Sequence, residues 1–195
     1  SCAITVAPLS ENRPLSLNLE RVAKPDKELQ RTKQCDLWAF VWTSSSVAAD
    51  FVSTLSLEFG GIRLLELGCG SGIPSLAAAL CGAKVIATDL VPDALRLLER
   101  NAKRNSLSVA WVCSQEAKAD ASSGAPNLLL SKLDFHKADE VSALLESAGE
   151  VELVVGADIL FASMTVRPVL SVLQRTLCSA GSGSRPAGLR YGLIV

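Results

Sequence analysis

The sequence carries almost no net charge, only one histidine, and no long run of apolar residues. Its 19 Lys and Arg residues nearly balance its 20 Asp and Glu residues, which gives a net charge of −1. We therefore expect neither the basic surface that binds nucleic acid nor one that binds an anionic membrane. No apolar run approaches the length of about 18 residues that a transmembrane helix needs, so we expect no membrane segment.

Six cysteines are present, but they lack the spacing of a metal site or of a disulfide framework. No C-x-x-C pair occurs, and no cysteine lies near a cluster of histidines. Cys69 lies in a glycine-rich turn and Cys81 in an apolar helical segment, which is typical of buried, reduced thiols. We expect no bound metal, and a location in the cytoplasm, with the nucleus as an alternative.

What is present is a globular pattern in which strands and helices alternate. At 195 residues, 49% of them hydrophobic, the chain is long enough for one domain with its own core. Apolar segments of strand length alternate with helical segments, which predicts an α/β fold with a doubly wound parallel sheet and helices on both faces. Residues 1–36 lack a sustained period and are assigned to a hairpin or an extended arm, and residues 37–195 to the domain.

The hydrophobic periodicity gives the bounds of the predicted elements. Helices are predicted at 44–58, 73–81, 92–104 and 138–148, and in the segment from Val166 to Leu177. Strands are predicted at 62–67, 84–89, 109–113, 128–130, 151–157 and 191–195. An inserted loop is expected at 114–127 and a Gly/Ser/Pro linker at 179–188.

The most informative segment is a glycine-rich turn between two predicted strands. The apolar strand that ends at Leu67 is followed by Gly68-Cys69-Gly70-Ser71-Gly72, a helix, and a second strand that ends on Asp89. Glycines allow the chain to reverse tightly and to expose bare backbone to a ligand. A carboxylate after the second strand is placed to accept hydrogen bonds from both hydroxyls of a ribose. Together these features predict a nucleoside site.

The spacing of the glycines distinguishes between two kinds of nucleoside site. A dinucleotide-binding turn has the pattern G-x-G-x-x-G, which requires glycine at position 73, but this position is Ile73. A nicotinamide-dependent oxidoreductase is therefore disfavoured. The turn is instead G-x-G-x-G preceded by Glu66, and in this form it resembles motif I of the class I S-adenosylmethionine (SAM) methyltransferases.

Further segments narrow the resemblance to one branch of that class. Phe40–Ser46 ahead of a helix, Gly70–Ala78, Ala87–Leu90 and Asn101 resemble the seven-β-strand lysine methyltransferase-like family, over residues 40–161. The resemblance implies SAM as the methyl donor and a lysine side chain of a protein as the acceptor. The class I fold also continues with a helix and an antiparallel strand pair after the fifth strand, so we expect this chain to be a fragment.

The resemblance also implies which residues form the site. Trp42 would lie near the methionine part of SAM, the glycine turn at its amino-acid part, and Asp89 at the ribose. The residues expected to bind the cofactor are Trp42, Glu66, Gly68, Cys69, Gly70, Asp89, Leu90, Asp134, Phe135 and Ala157. Asp158 and Phe161 occupy the acceptor motif Asp-x-x-Tyr, with Phe161 in place of the tyrosine.

Three of the candidate residues also have simpler explanations. Trp42 is compatible with a core aromatic residue, since Trp38 and Phe40 are its neighbours in sequence. Asp134 is compatible with a helix or turn cap. His136 is interpreted as a solvated loop residue, because the sequence shows no partner for it.

The role expected of Asp158 follows from the charge of the acceptor. A lysine amine must be neutral to accept a methyl group, and a nearby carboxylate raises its pKa. We therefore expect Asp158 to orient the amine rather than to deprotonate it, and Phe161 to lower the pKa of the amine by desolvating it. The change from Tyr to Phe161 leaves a small-molecule or histidine methyltransferase open, and a SAM-binding domain without activity is a third hypothesis. We expect a monomer.

Overall fold

The computed structural model describes residues 2–6, 15–20, 37–59, 61–112, 126–160, 162–178 and 191–195. Its helices are α1 (Thr43–Phe59), α2 (Ile73–Leu80), α3 (Pro92–Arg104), α4 (Ala138–Ala148) and α5 (Ser163–Cys178), and a short 3-10 helix (Leu37–Ala39) precedes α1. Its strands are β1 (Cys2–Val6), β2 (Leu15–Leu19), β3 (Arg63–Leu67), β4 (Lys84–Asp89), β5 (Val109–Trp111), β6 (Leu128–Lys132), β7 (Leu153–Gly156) and β8 (Tyr191–Ile194). None of the helices within these ranges has both the length and the apolar character needed to cross a bilayer.

Strands β3 to β8 form one parallel sheet in the order β5-β6-β4-β3-β7-β8. Each neighbouring pair is parallel, and β3 lies between β4 and β7. The chain runs from β3 to β4 and the edge strand β5, then places β6 between β5 and β4, and finally crosses to place β7 on the other side of β3. In open α/β sheets such a reversal is the point at which ligands bind, outside the carboxyl ends of the strands.

The residues of β3 alternate between two hydrophobic cores, one on each face of the sheet. Leu64 packs with residues of α1, α2 and α3, whereas its neighbour Leu65 packs with residues of α4 and α5. Successive side chains of a strand point to opposite faces of the sheet. The helices therefore cover both faces, which confirms the doubly wound α/β architecture that the sequence predicts.

Most element bounds agree with those predicted from the hydrophobic periodicity. Helices α3 and α4 begin and end at the predicted residues, and the ends of α1 and α2 lie within one residue of them. Strand β6 is longer than the predicted 128–130, and β7 is shorter than the predicted 151–157. The linker predicted at 179–188 lies outside the described residues, as does all of the loop predicted at 114–127 except its last two residues.

The N-terminal strands β1 and β2 form a separate antiparallel pair, which is one of the two alternatives predicted for residues 1–36. Leu17 and Leu19 of β2 are buried in the core that contains residues of α2 and α3. The strand pair is therefore packed onto the domain rather than extended away from it.

Helix α2, which follows the glycine turn, and helix α3, which packs against it, have local sequence signals at their ends. Helix α2 has Pro74 in its first turn, where the missing N–H of proline costs no hydrogen bond within the helix. Helix α3 carries Asp93 in its first turn and Lys103 and Arg104 in its last turn, so these charges complement the helix dipole. These local signals fix the ends of both helices beside the strands that they follow.

Candidate functional site

A cleft opens at the carboxyl ends of the four central strands, β6, β4, β3 and β7. It is lined by Leu37, Trp38, Phe40, Trp42, Ser45, Gly68, Cys69, Gly70, Ser71, Asp89, Leu90, Val91, Leu133, Asp134, Phe135, His136, Ala157, Asp158, Ile159 and Thr165. Ten of the twelve site residues predicted from the sequence are in this lining. Of the other two, Glu66 is buried and is not part of this lining, and Phe161 falls outside the described residues.

The glycine turn holds its backbone in conformations that favour glycine. Gly70 has a φ of +49°, and its N–H donates a hydrogen bond to Asp89 Oδ2 at 2.9 Å. Gly72 has a φ of +74°, and a Cβ atom there would overlap the side chain of Leu98 in α3. Because glycine tolerates both the positive φ and the close approach, Gly70 ties the turn to the end of β4, and Gly72 allows α3 to pack directly against the turn.

Asp89 is a buried carboxylate whose position is fixed by the backbone around it. It is only 8% exposed, although it lines the cleft. Its Oδ2 accepts the hydrogen bond from Gly70, and its Oδ1 accepts one from the N–H of Val91 at 2.9 Å. Burial raises the pKa of Asp89, while the backbone hydrogen bonds from Val91 and Gly70 oppose this rise. The backbone of Leu90 donates a third hydrogen bond to this carboxylate. A carboxylate has about four lone-pair sites, so Asp89 can still accept a hydrogen bond from a ligand hydroxyl.

Glu66 does not line the cleft, contrary to the place that the resemblance implies for it. It is 1% exposed, and its Oε2 accepts a hydrogen bond from the N–H of Ser75 at 3.1 Å and another from the Ser75 hydroxyl. Ser75 lies in the first turn of α2, where backbone N–H groups have no partner within the helix. Burial raises the pKa of Glu66 to about 8, against the hydrogen bonds from Ser75, and Asp89 adds to the rise. Glu66 therefore joins β3 to the start of α2, largely as a neutral acid at pH 7.

Cys69 contributes a neutral, buried thiol to the cleft. Its side chain is 5% exposed, and its backbone N–H donates to the carbonyl oxygen of Thr88 at 2.8 Å. Burial, with the nearby carboxylates of Asp89 and Glu66, raises the pKa of the thiol well above its usual range. The backbone of Cys69 therefore holds the turn against β4, and its thiol stays protonated.

The segment after β6 brings an acid, an aromatic ring and the chain's only histidine to one side of the cleft. Asp134 Oδ1 accepts a hydrogen bond from the backbone N–H of His136 at 3.0 Å, and it lies 3.2 Å from His136 Nδ1. The hydrogen bond from the backbone of His136 lowers the pKa of Asp134. Asp134 therefore does cap a turn, as the alternative interpretation proposed, and it also lines the cleft. His136 is an exposed residue of this turn, as the sequence predicts, but it does have a partner, because Asp134 lies two positions before it on the same turn.

Asp158 lies on the opposite side of the cleft, after β7, in a left-handed conformation. Its φ is +54°, which is uncommon for a residue other than glycine. Its N–H donates to the carbonyl oxygen of Val195 at 2.8 Å, and its Oδ2 accepts a hydrogen bond from the hydroxyl of Ser44 in the first turn of α1. Neighbouring strands are about 4.8 Å apart, so the three steps from β6 to β7 separate the sides of Asp134 and Asp158 by about 14 Å.

The segment before α1 places aromatic side chains on the cleft. Trp42 is 40% exposed, its Nε1 donates to the carbonyl oxygen of Leu37 at 3.1 Å, and its ring lies 6.0 Å from that of Phe40. Trp42 is therefore not a core residue. Trp38 and Phe40 also line the cleft, although the sequence did not predict them as site residues. Their only signal in the sequence is the clustering of aromatic residues ahead of a helix.

Several known proteins that are similar to this chain are described as methyltransferases. Residues 64–159 match a family model described as a methyltransferase domain. The chain is 40% identical over 82 residues to the protein-lysine methyltransferase METTL21E of Mus musculus, which covers 40% of this chain and 33% of the relative. It is 28% identical over 153 residues to the protein N-lysine methyltransferase METTL21A of Mus musculus, over 78% of this chain and 61% of the relative.

Similarity extends to methyltransferases that are described with other functions. A ubiquinone biosynthesis O-methyltransferase of Cereibacter sphaeroides is 31% identical over 121 residues, which cover 60% of this chain and 48% of the relative. The crystal structure of magnesium protoporphyrin IX methyltransferase from Synechocystis PCC 6803 with bound S-adenosylhomocysteine (SAH) gives a TM-score of 0.46 at 15% identity, over 77% of this chain and 60% of that one.

The extent of the matches defines what they establish. The chain spans between 33% and 61% of the length of these three curated relatives. The matched residues 64–159 include the glycine turn, Asp89, Asp134 and Asp158. The chain therefore contains a methyltransferase domain, at residues 64–159.

Proposed function

We propose that this chain transfers a methyl group from SAM to a lysine side chain of a protein. The observation that carries the proposal is the exposed carboxylate of Asp158 on the cleft, held by the hydroxyl of Ser44. A fixed carboxylate can accept a hydrogen bond from an amine and so orient it. The two METTL21 relatives, which are described as lysine methyltransferases, support the same class of acceptor.

The lining of the cleft fits SAM along the ends of the four central strands. Asp89 would accept the ribose hydroxyls, with Leu90 beside it, while Asp134 and Phe135 would flank the adenine. The bare backbone at Gly68, Cys69 and Gly70 would face the amino-acid part, with Trp42 and Ala157 near the methionine. Glu66 would act behind these contacts, through its hydrogen bonds to Ser75. This arrangement leaves the side of Asp158 for the acceptor, with Phe161 proposed beside it.

The proposed reaction requires the amine of the acceptor lysine to be neutral. SAM supplies a methyl group that its sulfonium charge already activates, so that the nitrogen–carbon bond forms as the carbon–sulfur bond breaks. A lysine of reference pKa about 10.4 costs about 4.6 kcal/mol to deprotonate at pH 7. Because a carboxylate raises the pKa of a neighbouring amine, Asp158 would bind and orient the acceptor rather than act as its base. The proton would leave to solvent, to which Asp158 is exposed.

A methylation assay with radiolabelled SAM tests the proposal. The protein is incubated with cell extract, proteins and small molecules are separated, and labelled residues are identified after hydrolysis. A labelled protein that contains methyl-lysine is the expected result. Label in a small molecule would support the alternative that the ubiquinone O-methyltransferase relative suggests, and methyl-histidine would support a histidine acceptor. Binding of SAH without any labelled product would indicate a domain without activity.

We also propose that the chain acts as a monomer in the cytoplasm or the nucleus. The buried thiol of Cys69 is not part of a disulfide, which supports a reducing compartment. Light scattering on the purified chain tests the first statement, and cell fractionation with an antibody tests the second. A dimer mass, or recovery in a secreted fraction, would contradict them.

A further inference from the structure

The N-terminal strands and the glycine turn are hydrogen-bonded to the same asparagine. Asn101 of α3 is fully buried. Its Oδ1 accepts a hydrogen bond from the backbone N–H of Glu20, directly after β2, at 2.7 Å. Its Nδ2 donates to the carbonyl oxygen of Ser71, in the glycine turn, at 3.4 Å. One side chain thus connects the start of the chain to the turn that lines the cleft.

Helix α3 also packs directly on the glycine turn beside this bond. Leu98, one helical turn before Asn101, occupies the space that a Cβ at Gly72 would need. Ser71 lines the cleft and is 6% exposed. The backbone at two successive positions of the turn is therefore set by two side chains of α3. A substitution at Asn101 would therefore alter the backbone that lines the cleft, although Asn101 itself would not contact the cofactor.

Other bonds attach α3 to the N-terminal strands and do not involve the glycine turn. Asn105, one helical turn after Asn101, accepts a hydrogen bond from the N–H of Asn18 and donates one to the Asn18 carbonyl oxygen, both at 2.9 Å. The Glu20 carboxylate pairs with Arg100 at 3.1 Å and with Arg104 at 3.2 Å. Docking of the strands on α3 is therefore shared among several groups, whereas only Asn101 among these groups also reaches the turn.

We propose that Asn101 is a positioning residue for the cofactor site. Held by the backbone of Glu20, it fixes the carbonyl oxygen of Ser71 and thereby the shape of the glycine turn that receives SAM. A merely structural asparagine would lower the stability of the fold when replaced, but it would leave the affinity of the folded protein for its ligand unchanged. The inference rests on the cleft being the cofactor site and is independent of the acceptor.

Calorimetry with SAH, the demethylated product of SAM, separates the two roles. All measurements are made well below the unfolding midpoint of every variant, so that only folded protein is compared. We expect Asn101→Ala to bind SAH about tenfold more weakly, in line with the loss of a buried hydrogen bond. The matched control is Asn105→Ala, which removes two hydrogen bonds to Asn18 and one to the carbonyl oxygen of Asn101, but none to the turn. This control should bind SAH like the original protein.

Hydrogen exchange gives a second readout that needs no ligand. The N–H of Gly72 donates to the carbonyl oxygen of Cys69 at 2.7 Å, inside the turn. We expect its exchange to be faster in Asn101→Ala and unchanged in Asn105→Ala. If Asn101→Ala does not fold, Asn101→Ser, which is polar but too short to span both partners, carries the same expectations.

Two results would overturn the proposal, and a third would show that its premise, the cleft as the cofactor site, is wrong. Unchanged SAH affinity and exchange in the Asn101 variants would make Asn101 structural only, even if the unfolding midpoint falls. Equal losses of affinity in the Asn101 and Asn105 variants would assign the effect to docking of the strands in general. If the original protein fails to bind SAH, the assignment of the cleft is wrong, and unchanged exchange at Gly72 would then refute the positioning role on its own.

Discussion

Replacing Glu66 by glutamine should remove a penalty on stability that grows with pH. The carboxyl group is buried and bonded to Ser75 in the first turn of α2. Burial raises its pKa from 4.5 to about 8 in the folded protein. Glutamine has the shape of the neutral acid, and its amide oxygen can accept from both the Ser75 N–H and the Ser75 hydroxyl, which donate to the same oxygen of Glu66. It therefore keeps the hydrogen bonds and removes the titration.

The sign of the effect follows from the protons that each state binds. Between pH 4.5 and 8 the unfolded chain has released the Glu66 proton and the folded protein has kept it, so stability falls as pH rises. The fall approaches about 1.36 kcal/mol for each pH unit. From pH 5.5 to 7.5 the original protein should therefore lose roughly 2–3 kcal/mol relative to Glu66→Gln.

Urea unfolding followed by circular dichroism at pH 5.5, 6.5 and 7.5 measures this difference. The matched control is Glu140→Gln, since the hydrogen bond from Lys137 lowers the pKa of Glu140 and keeps it ionised over this range. The control should follow the pH dependence of the original protein. Parallel curves for Glu66→Gln and the original protein would refute the assignment of a neutral, buried Glu66.

Three further substitutions probe the cleft and the packing of the glycine turn beside it. Asp89→Asn should weaken SAH binding by about tenfold to a hundredfold in calorimetry, because a charge-assisted hydrogen bond is worth about 1.5–3 kcal/mol; unchanged affinity would remove Asp89 from the site. Gly72→Ala should lower the free energy of unfolding by roughly 1–3 kcal/mol through overlap with Leu98, and more than Gly82→Ala, which has a positive φ but open space around it; equal losses would show that the overlap is relieved. Asp158→Asn should reduce single-turnover methylation by on the order of a hundredfold through misalignment of the acceptor, with SAH affinity retained; full turnover would exclude it from the mechanism.

Local sequence signals were sufficient to predict the fold and the residues at the centre of the candidate cleft. The glycine turn, the apolar strands beside it and Asp89 lie within 26 consecutive residues, from Leu64 to Asp89. Each is specified by its immediate neighbours, through backbone conformation or strand periodicity. Helix bounds were predictable for the same reason, since Pro92 and the charges of α3 lie at the helix ends themselves.

Contacts between distant segments could not be predicted in the same way. The hydroxyl of Ser44 and the carboxylate of Asp158 are 114 positions apart, and nothing in either segment indicates the other. Glu66 occupies a motif position at which we expected a ligand-facing residue. In the structure its side chain instead points toward α2, where it accepts a hydrogen bond from Ser75. Such outcomes depend on how strands and helices pack, which the periodicity of a single segment does not encode.

The segments that line the cleft are far apart in the sequence, and this has a consequence for folding. These segments run from Leu37 to Thr165, and the backbone of Glu20 is hydrogen-bonded to Asn101, 81 positions later. Contacts that close long loops form late, because their entropy must be lost before they stabilise the chain. During synthesis the β3–α2–β4 unit can therefore form well before a complete ligand site exists. A ligand that binds only the complete site stabilises the folded state by mass action. A higher cellular concentration of the ligand would therefore raise the fraction of the chain in which the cleft is complete.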